Sequence, residues 1–231
     1  MKLATLASQP TFCTYPLTAT IESALCIGAG GSAGSLADKP IVRNAAGRLI
    51  IPGSHLKGRL RHECEKIARS LGWEVSRSPN PSQMRGNFLV PHTVGRSPHC
   101  IISSIFGDPG LPSCLRVDDL ICEIAPEDLP TEVIRPGVTI NRRRRTAQDQ
   151  KLYFLETSPP QLQLKFTGEL QTIAAPDYAN ALICAGLRHI RALGGSKSAG
   201  LGWLSWDWGD LPIPEGAWRE LGGAKVKGAG D

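Results

Sequence analysis

Apolar and polar residues alternate at the start of the chain, and this pattern predicts a β-strand. Between residues 12 and 27, the apolar side chains Leu17, Ala19 and Ile21 are separated by polar ones. A period of two residues is typical of a strand that buries one face. Similar patterns predict shorter strands at residues 49–51, 115–124, 152–156, 162–167 and 203–208.

Two stretches with a helical period interrupt these strands. After residue 53, apolar residues recur at helical spacing over residues 56–71, which predicts an amphipathic helix. Ser54 is the predicted N-cap of this helix, and Gly72 is the predicted stop. The same spacing predicts a second helix over residues 177–193.

The order of these elements indicates an α+β fold. Without the irregular stretches, the strands and helices follow the order β-α-β-β-α-β, which is the ferredoxin-like unit. We expect a single domain over residues 1–231, with insertions at about residues 73–100 and 126–150 and a tail at 209–231. Prolines and weak periodicity mark both insertions as loops or connections. Because this fold hosts many functions, function must be argued from particular residues.

The composition fits a globular protein and excludes several other classes. With 41% hydrophobic and 20% charged residues, the chain is not expected to be disordered. No apolar run approaches the roughly 20 residues that a membrane-spanning helix needs, and residues 1–10 do not resemble a secretory signal. The seven cysteines include no Cys-x-x-Cys pair, so reduced thiols in a cytoplasmic protein are expected.

Positive charge is concentrated in two short segments. The formal net charge is only +5, but Arg142 to Arg145 are contiguous, and Lys57, Arg59 and Arg61 lie close together. Clustered positive charge indicates a polyanionic partner such as a nucleic acid. For the arginine run taken alone, a solvated charged face is an equally good interpretation.

Two glycine-rich segments predict loops of different kinds. The first, residues 28–35, fits a G-x-G-x-x-G/A pattern, but Pro40 follows and no helical period begins, so a dinucleotide site is not predicted. The second, residues 194–202, lies between a helix and a strand. Its backbone amides and Lys197 could cradle a phosphate, because glycine lets the backbone approach a ligand closely. A plain tight connection is the alternative.

Segments along most of the chain resemble the RAMP superfamily of RNA-binding proteins. Residues 51–61 read IPGSHLKGRLR and are similar to the family signature IPGSSLKGxLR. Residues 105–108 read IFGD and resemble a phenylalanine–glycine turn of the family. Residues 137–156 contain GVTINR and LYFLE, which are similar to a further family block. Residues 194–202 resemble its C-terminal glycine-rich loop, and the order of the segments is that of the family.

The resemblance implies an RRM-like palm that grips guide RNA, with an inserted thumb hairpin and loop elaborations. It also implies a backbone subunit of a type III CRISPR effector complex, whose partners are CRISPR RNA, complementary target RNA and other effector subunits. Helix N-termini and glycine-rich loops suit phosphates, so contacts to the RNA backbone rather than to bases are expected. The residues expected to bind RNA are Ser54, His55, Lys57, Arg59, Arg61, Arg142, Arg143, Arg144, Gly194, Gly195, Ser196, Lys197 and Ser198.

Asp38 is the candidate catalytic residue. Residues 36–43 read LADKPIVR and resemble a loop that carries an aspartate in the RNA-cleaving members of the family. The resemblance therefore implies an endoribonuclease that cleaves target RNA with a divalent metal, Mg²⁺ or Mn²⁺, at this carboxylate. One alternative is a turn residue in a structural subunit that does not cleave. Another is a guide-processing ribonuclease with His55 as acid or base.

A structural zinc site is a further expectation from the resemblance. Relatives often carry cysteine and histidine ligands just before the phenylalanine–glycine turn. In this chain Cys64, His92, His99 and Cys100 are the candidate zinc ligands. The alternative for Cys64 is a core position on its helix.

Overall fold

An antiparallel sheet and two helices packed together form the core of the protein. The computed structural model describes residues 12–28, 37–91, 96–160, 162–209 and 211–222. The strands are β1 (Phe12–Ile21), β2 (Ile50–Ile51), β3 (Leu115–Val117), β4 (Leu120–Cys122), β5 (Val133–Asn141), β6 (Thr146–Thr157), β7 (Leu164–Ile173) and β8 (Leu204–Asp207). The helices are α1 (Gly53–Ser70), α2 (Ser103–Phe106), α3 (Ala179–His189) and α4 (Ala217–Gly222).

Strand β1 lies inside the sheet and shows the predicted alternation. Its side chains Leu17, Ala19 and Ile21 are buried, whereas the threonines between them are partly exposed. The strand ends at Ile21, earlier than the predicted residue 27. The sheet order is β2-β4-β7-β1-β8, with β3 also paired to β7, and every one of these pairs is antiparallel.

The sequence of elements confirms the predicted α+β class. Strands β1, β4, β7 and β8 alternate with helices α1 and α3 in the order β-α-β-β-α-β. The helices α1 and α3 approach closely at Gly186, where an added Cβ would lie 2.6 Å from Cys64 Sγ. No helix in the described ranges is long and apolar enough to cross a membrane.

The predicted connection at residues 126–150 contains most of a β-hairpin instead. Strands β5 and β6 form a separate two-stranded sheet, and Arg142 to Arg145 make the turn between them. The hydrophobic pattern does not predict β5, because its side chains are exposed on both faces and Pro136 and Gly137 interrupt it. The β-hairpin is therefore a protruding arm of the domain rather than a surface connection.

The predicted insertion at residues 73–100 is irregular where it is described. It contains one short 3₁₀ turn at Pro81–Gln83 and a bridge between Phe88 and Ser97. Trp73 anchors its start, because the buried indole N–H donates a 2.7 Å hydrogen bond to the carbonyl oxygen of Leu221. The segment thus follows the surface while contributing buried side chains to the core.

Candidate RNA-binding and cleavage site

The glycine-rich loop, residues 194–202, packs against the start of helix α1. The backbone N–H of Gly194 donates to His55 Nε2 at 3.3 Å, and the N–H of Gly195 donates to the Cys26 carbonyl at 2.7 Å. Burial lowers the pKa of His55, and the positive charges of Lys197 and Arg59 lower it further. A neutral imidazole is required here, because only an unprotonated Nε2 can accept the hydrogen bond. The structure thus brings together two separately predicted segments.

Close backbone approach explains two of the glycines in this loop. Gly194 has φ +85° and an added Cβ would lie 2.4 Å from the Cys26 carbonyl oxygen. Gly202 has φ +74° and its Cβ would lie 1.8 Å from the Leu193 carbonyl oxygen. Side chains at either position would be strained and would collide with backbone. The glycines therefore fix the path of the loop beside α1.

The outer side of the glycine-rich loop is open to solvent. Residues 195–200 are exposed, and so is Ser54 in the first turn of α1. Lys197 Nζ donates a 2.9 Å hydrogen bond to the Gly194 carbonyl, which uses one of the three ammonium donors. The Lys197 ammonium is thus fixed by one hydrogen bond and keeps further N–H donors for a ligand. The hydroxyls of Ser196 and Ser198 lie on the same exposed segment.

The prediction that Ser54 caps α1 is wrong. Pro52 occupies the N-cap position, with no side-chain cap, and Ser54 lies inside the first turn. Asp119 caps the helix from a distance, because its Oδ1 accepts a 2.8 Å hydrogen bond from the Gly53 N–H. Gly53 permits this approach, since an added Cβ would lie 2.2 Å from the Val117 carbonyl oxygen. The exposed Ser54 hydroxyl is not engaged in capping.

The three lysine and arginine residues of α1 that were predicted to bind RNA contact the protein itself. Lys57 Nζ donates to Ser113 Oγ at 2.8 Å and to the Leu115 carbonyl at 2.7 Å. Burial lowers the pKa of Lys57. Arg61 donates from Nη1 to the Gly107 carbonyl at 3.0 Å and pairs with Glu65, while Arg59 pairs with Glu63 at 2.8 Å. Of the predicted RNA-binding residues, these three therefore have internal structural partners.

The arginine run forms the tip of the β5–β6 hairpin. Asn141 Oδ1 accepts hydrogen bonds from the backbone N–H groups of Arg143 and Arg144, both at 3.1 Å. Arg145 closes the turn with φ +55° and donates its N–H to the Asn141 carbonyl at 2.7 Å. All four arginines are exposed. The turn is built by backbone contacts, so the guanidinium groups are available for a partner.

A groove of about 510 Å³ separates the base of the hairpin from the glycine-rich loop. The Tyr153 ring forms part of its wall and lies over Gly137, where a Cβ would be 2.3 Å from Tyr153 Cζ. Arg135 also lines the groove, where it contacts Thr157 Oγ1 at 3.4 Å. Neither Arg135 nor Tyr153 is among the residues predicted from the sequence. In the pairing of β5 with β6, Tyr153 lies opposite Gly137 and Arg135 lies two residues before Gly137, and only this pairing shows that both line the groove.

Asp38 lies in an exposed bend beside the base of the same hairpin. Its Oδ2 accepts a 2.7 Å hydrogen bond from the backbone N–H of Phe154 on β6. Within the described ranges no hydrogen bond reaches Oδ1. The neighbouring residue Lys39 forms a parallel bridge with Leu155. The candidate carboxylate therefore has Oδ2 held by β6, whereas Oδ1 accepts no hydrogen bond from the part of the chain that the structure describes.

Asp38 fits a cation that is shared with a substrate, rather than a closed metal site. Mg²⁺ is often held by one or two carboxylates together with substrate phosphates. In the described ranges, no group of three or more histidine, cysteine, aspartate or glutamate side chains could hold a metal ion. An exposed carboxylate whose Oδ1 accepts no hydrogen bond from the described residues is compatible with Mg²⁺ or Mn²⁺ that RNA phosphate also ligates.

The three predicted zinc ligands that the structure describes, Cys64, His99 and Cys100, form no group of three that could hold a metal ion. Cys64 is fully buried between α1 and α3, where its Sγ contacts the Leu182 carbonyl at 3.4 Å. Cys100 Sγ contacts the hydroxyls of Ser76 and Ser103. His99 Nδ1 contacts Asp108 Oδ2 at 2.6 Å, and His92 lies outside the described residues. The described candidates have hydrogen-bonding or core roles instead.

Comparison with known proteins gives one family and one relative. The family model described as the RAMP superfamily matches residues 18–205. The chain is also 39% identical over 70 residues to a protein named CRISPR system Cms endoribonuclease Csm3 from Methanocaldococcus jannaschii. That match covers 30% of this chain and only 23% of the length of the relative. The family match, in contrast, includes both helices and all strands of the main sheet except the first residues of β1 and the last of β8.

Proposed function

The chain belongs to the RAMP superfamily, and on that premise we propose that it is a guide-RNA-binding backbone subunit of a type III CRISPR effector complex. The observation that carries the proposal is the glycine-rich loop docked on the start of α1 through His55 and Gly194. This contact leaves an exposed edge that carries the hydroxyls of Ser196 and Ser198 and the Lys197 ammonium, whereas most backbone amides of the loop donate to acceptors of the protein. Such an edge suits phosphates of any sequence. The segment similar to Csm3 supports the same assignment.

The sheet and its two helices would serve as the palm, and the β5–β6 hairpin would serve as the thumb. In this arrangement the glycine-rich loop grips guide phosphates at one side of the groove. The arginines of the hairpin tip add charge at the far end of the thumb. The exposed Tyr153 ring at the groove wall offers a surface on which a base can stack, which tolerates any sequence.

The open face of the sheet is a poor RNA platform. On β1 the outward positions between residues 14 and 20 are threonines and Pro16, and on β7 they include Lys165, Thr167 and Glu169. Sheets that bind single-stranded RNA usually offer aromatic side chains for stacking. Because these positions offer no aromatic side chain beyond the exposed Phe12 at the start of β1, and include an acidic residue, we assign the RNA path to the groove and the glycine-rich loop instead.

We further propose that this subunit cleaves target RNA with Asp38 as the carboxylate that holds Mg²⁺ or Mn²⁺. Such an ion would offset the charge on the phosphate under attack. The protein contributes orientation, because the Phe154 N–H fixes Asp38 Oδ2 and leaves Oδ1 for the ion. A flexible nucleotide next to the carboxylate would then be held close to the geometry that cleavage requires.

A structural subunit that binds guide RNA without cleaving is the second candidate. The same 2.7 Å hydrogen bond favours it, because an aspartate that accepts a backbone N–H is also a common loop-stabilising residue. A guide-processing role for His55 is less well supported. His55 Nε2 already accepts the Gly194 N–H, so that nitrogen is committed to holding the loop.

One experiment tests both parts of the proposal in the assembled complex. Lys197→Ala should weaken guide binding by the same factor for unrelated guides, and the salt dependence should fall by about 0.7 in log–log slope. Asp38→Ala should preserve guide and target affinity but abolish the cut at the position of this subunit. Filter binding over a salt series and gels of end-labelled target measure the two effects.

Lys165→Ala is the matched control, because Lys165 is an exposed lysine on the open face of the sheet. It should change neither guide affinity nor cleavage. If Lys165→Ala and Lys197→Ala weaken binding equally, the glycine-rich loop is not the grip. An unchanged cleavage pattern with Asp38→Ala would leave the non-cleaving subunit as the function.

A further inference from the structure

The loop that carries Asp38 is joined to strand β6 by a short run of hydrogen bonds. Lys39 N–H donates to the Phe154 carbonyl at 3.3 Å, and Glu156 N–H donates to the Lys39 carbonyl at 3.2 Å. Together with the bond from Phe154 N–H to Asp38, these contacts make one rung of parallel sheet. The position of Asp38 is thus set by β6.

A side chain completes this junction. Glu156 Oε2 accepts a 2.8 Å hydrogen bond from the backbone N–H of Ile41, three residues after Asp38. Ile41 is only 4% exposed, so water cannot easily replace this acceptor. A buried N–H without an acceptor is unfavourable, and the backbone would move to find another one. The Glu156 side chain therefore holds the loop at Ile41, and the Glu156 backbone N–H holds it at Lys39.

The other edge of the loop is fixed to the main body of the protein. Val42 N–H donates to the Ile27 carbonyl at 3.0 Å, and Gly28 and Ile41 form an antiparallel bridge. The loop is consequently held from two sides, and among the described residues only β6 contacts the Asp38 carboxylate. Loss of the Glu156 side-chain contact would loosen the β6 side at Ile41, while the backbone hydrogen bonds at Lys39 remain.

We infer that Glu156 is a positioning residue for Asp38, an inference that rests on the proposed cleavage function. Its carboxylate orders residues 38–41 against β6, so that Phe154 N–H can hold Asp38 Oδ2 and leave Oδ1 in a defined place for a divalent cation. In this arrangement Glu156 acts on Asp38 through the contact of its Oε2 with the Ile41 N–H.

The test uses three substitutions in the assembled complex. Glu156→Ala removes the acceptor and should slow the cut at this subunit at least tenfold, with guide and target affinity unchanged within twofold. It should also raise the Mn²⁺ concentration that gives half-maximal cleavage. Glu156→Gln keeps an oxygen that can accept the Ile41 N–H and should recover most of the rate. Asp38→Ala/Glu156→Ala should cleave no more slowly than Asp38→Ala alone.

A second readout does not depend on cleavage. Hydrogen exchange of the unliganded chain should become faster at the amides of Ile41 and Phe154 in Glu156→Ala, and should stay slow in Glu156→Gln. Should Glu156→Ala fail to fold, Glu156→Asp, whose carboxylate is one methylene too short, replaces it with the same expectations.

The outcomes separate this inference from the proposed function. If Asp38→Ala cleaves normally, the proposed cleavage function is wrong, whereas the exchange result still decides whether Glu156 orders the loop. If Asp38→Ala is inactive but Glu156→Ala cleaves normally at low Mn²⁺, Glu156 does not position Asp38. Equal losses in Glu156→Ala and Glu156→Gln would likewise overturn the inference, because they would point to the charge rather than the acceptor.

Discussion

At the residue scale, one buried carboxylate joins the two main helices. Glu63 on α1 is 1% exposed and meets Arg59, Lys66 and His189, the last of them on α3. Burial alone would raise the pKa of Glu63, but hydrogen bonds from His189 and Lys66 and the charge of Arg59 outweigh it and hold the pKa below its usual value. The charged form of Glu63 therefore stabilises the folded state.

Replacing Glu63 should lower stability in a pH-dependent way. Glu63→Gln should reduce the free energy of unfolding by about 2 kcal/mol at pH 7, because it removes a buried charged acceptor from the half-buried Arg59 and from two exposed donors, Lys66 and His189. A carboxylate with a lowered folded-state pKa contributes fully above the unfolded-state pKa of about 4.3, and the contribution is lost as pH falls through the folded-state pKa. Denaturant unfolding of both proteins should thus converge below about pH 4.

Two comparisons check this explanation. Lys66→Ala removes only an exposed partner of Glu63 and should lower stability far less than Glu63→Gln. A difference between Glu63→Gln and the parent protein that stays constant from pH 7 to pH 3 would mean that packing, rather than charge, accounts for the loss.

At the element scale, the β5–β6 hairpin depends on its base. Its strands expose Ile134, Val138 and Leu152, so the arm has little core of its own, and an isolated hairpin is at best marginally stable. The base is fixed by Ser158, which is fully buried and whose Oγ accepts the Leu25 N–H at 2.8 Å. The arm is therefore held by the domain at one end and presents its charged tip at the other.

The tip should contribute charge to RNA binding in the assembled complex. Replacing Arg142, Arg143 and Arg144 together by alanine should lower the log–log salt slope of RNA binding by about 2, because each phosphate that is no longer neutralised lowers it by about 0.7. A filter-binding series with guide alone and with guide plus target shows which strand the tip contacts.

A control with the same loss of charge uses arginines that form surface ion pairs elsewhere. Arg69, Arg96 and Arg116 pair with Glu65, Glu74 and Asp118, and their joint replacement by alanine removes the same three charges. The slope should stay close to that of the parent protein in this control. Equal slopes for the two triple variants would mean that net charge, and not the hairpin tip, governs binding.

At the scale of the whole molecule, local pattern predicted the scaffold well. Strand β1 and the helices α1 and α3 follow from apolar spacing, because each buries one face against the common core. Strand β5 escaped prediction because it buries no continuous face. One predicted strand at residues 115–124 is two strands, β3 and β4, separated by the residues that approach Gly53.

The site was only partly predictable, because its key contacts join distant parts of the chain. The glycine-rich loop could be found from its composition, and Asp38 from the resemblance of its loop. The internal partners of Lys57, which are Ser113 and Leu115, lie 56 and 58 residues away, so no spacing within α1 reveals them. The zinc expectation rested on the family resemblance, and the described candidates Cys64, His99 and Cys100 form no group of three that could hold a metal ion.

The contact between Asp38 and β6 is expected to form late in folding. Asp38 and Phe154 are 116 residues apart, and His55 and Gly194 are 139 apart, so both contacts close long loops of chain. Such contacts form only after a long loop of chain has closed, and closing it costs conformational entropy. We therefore expect them to form later than the local turns of α1. Pulsed hydrogen exchange during refolding should therefore protect the amides of Phe154 and Gly194 after those of α1. A chain still emerging from the ribosome would therefore carry Asp38 for a further 116 residues of synthesis before Phe154 could hold it.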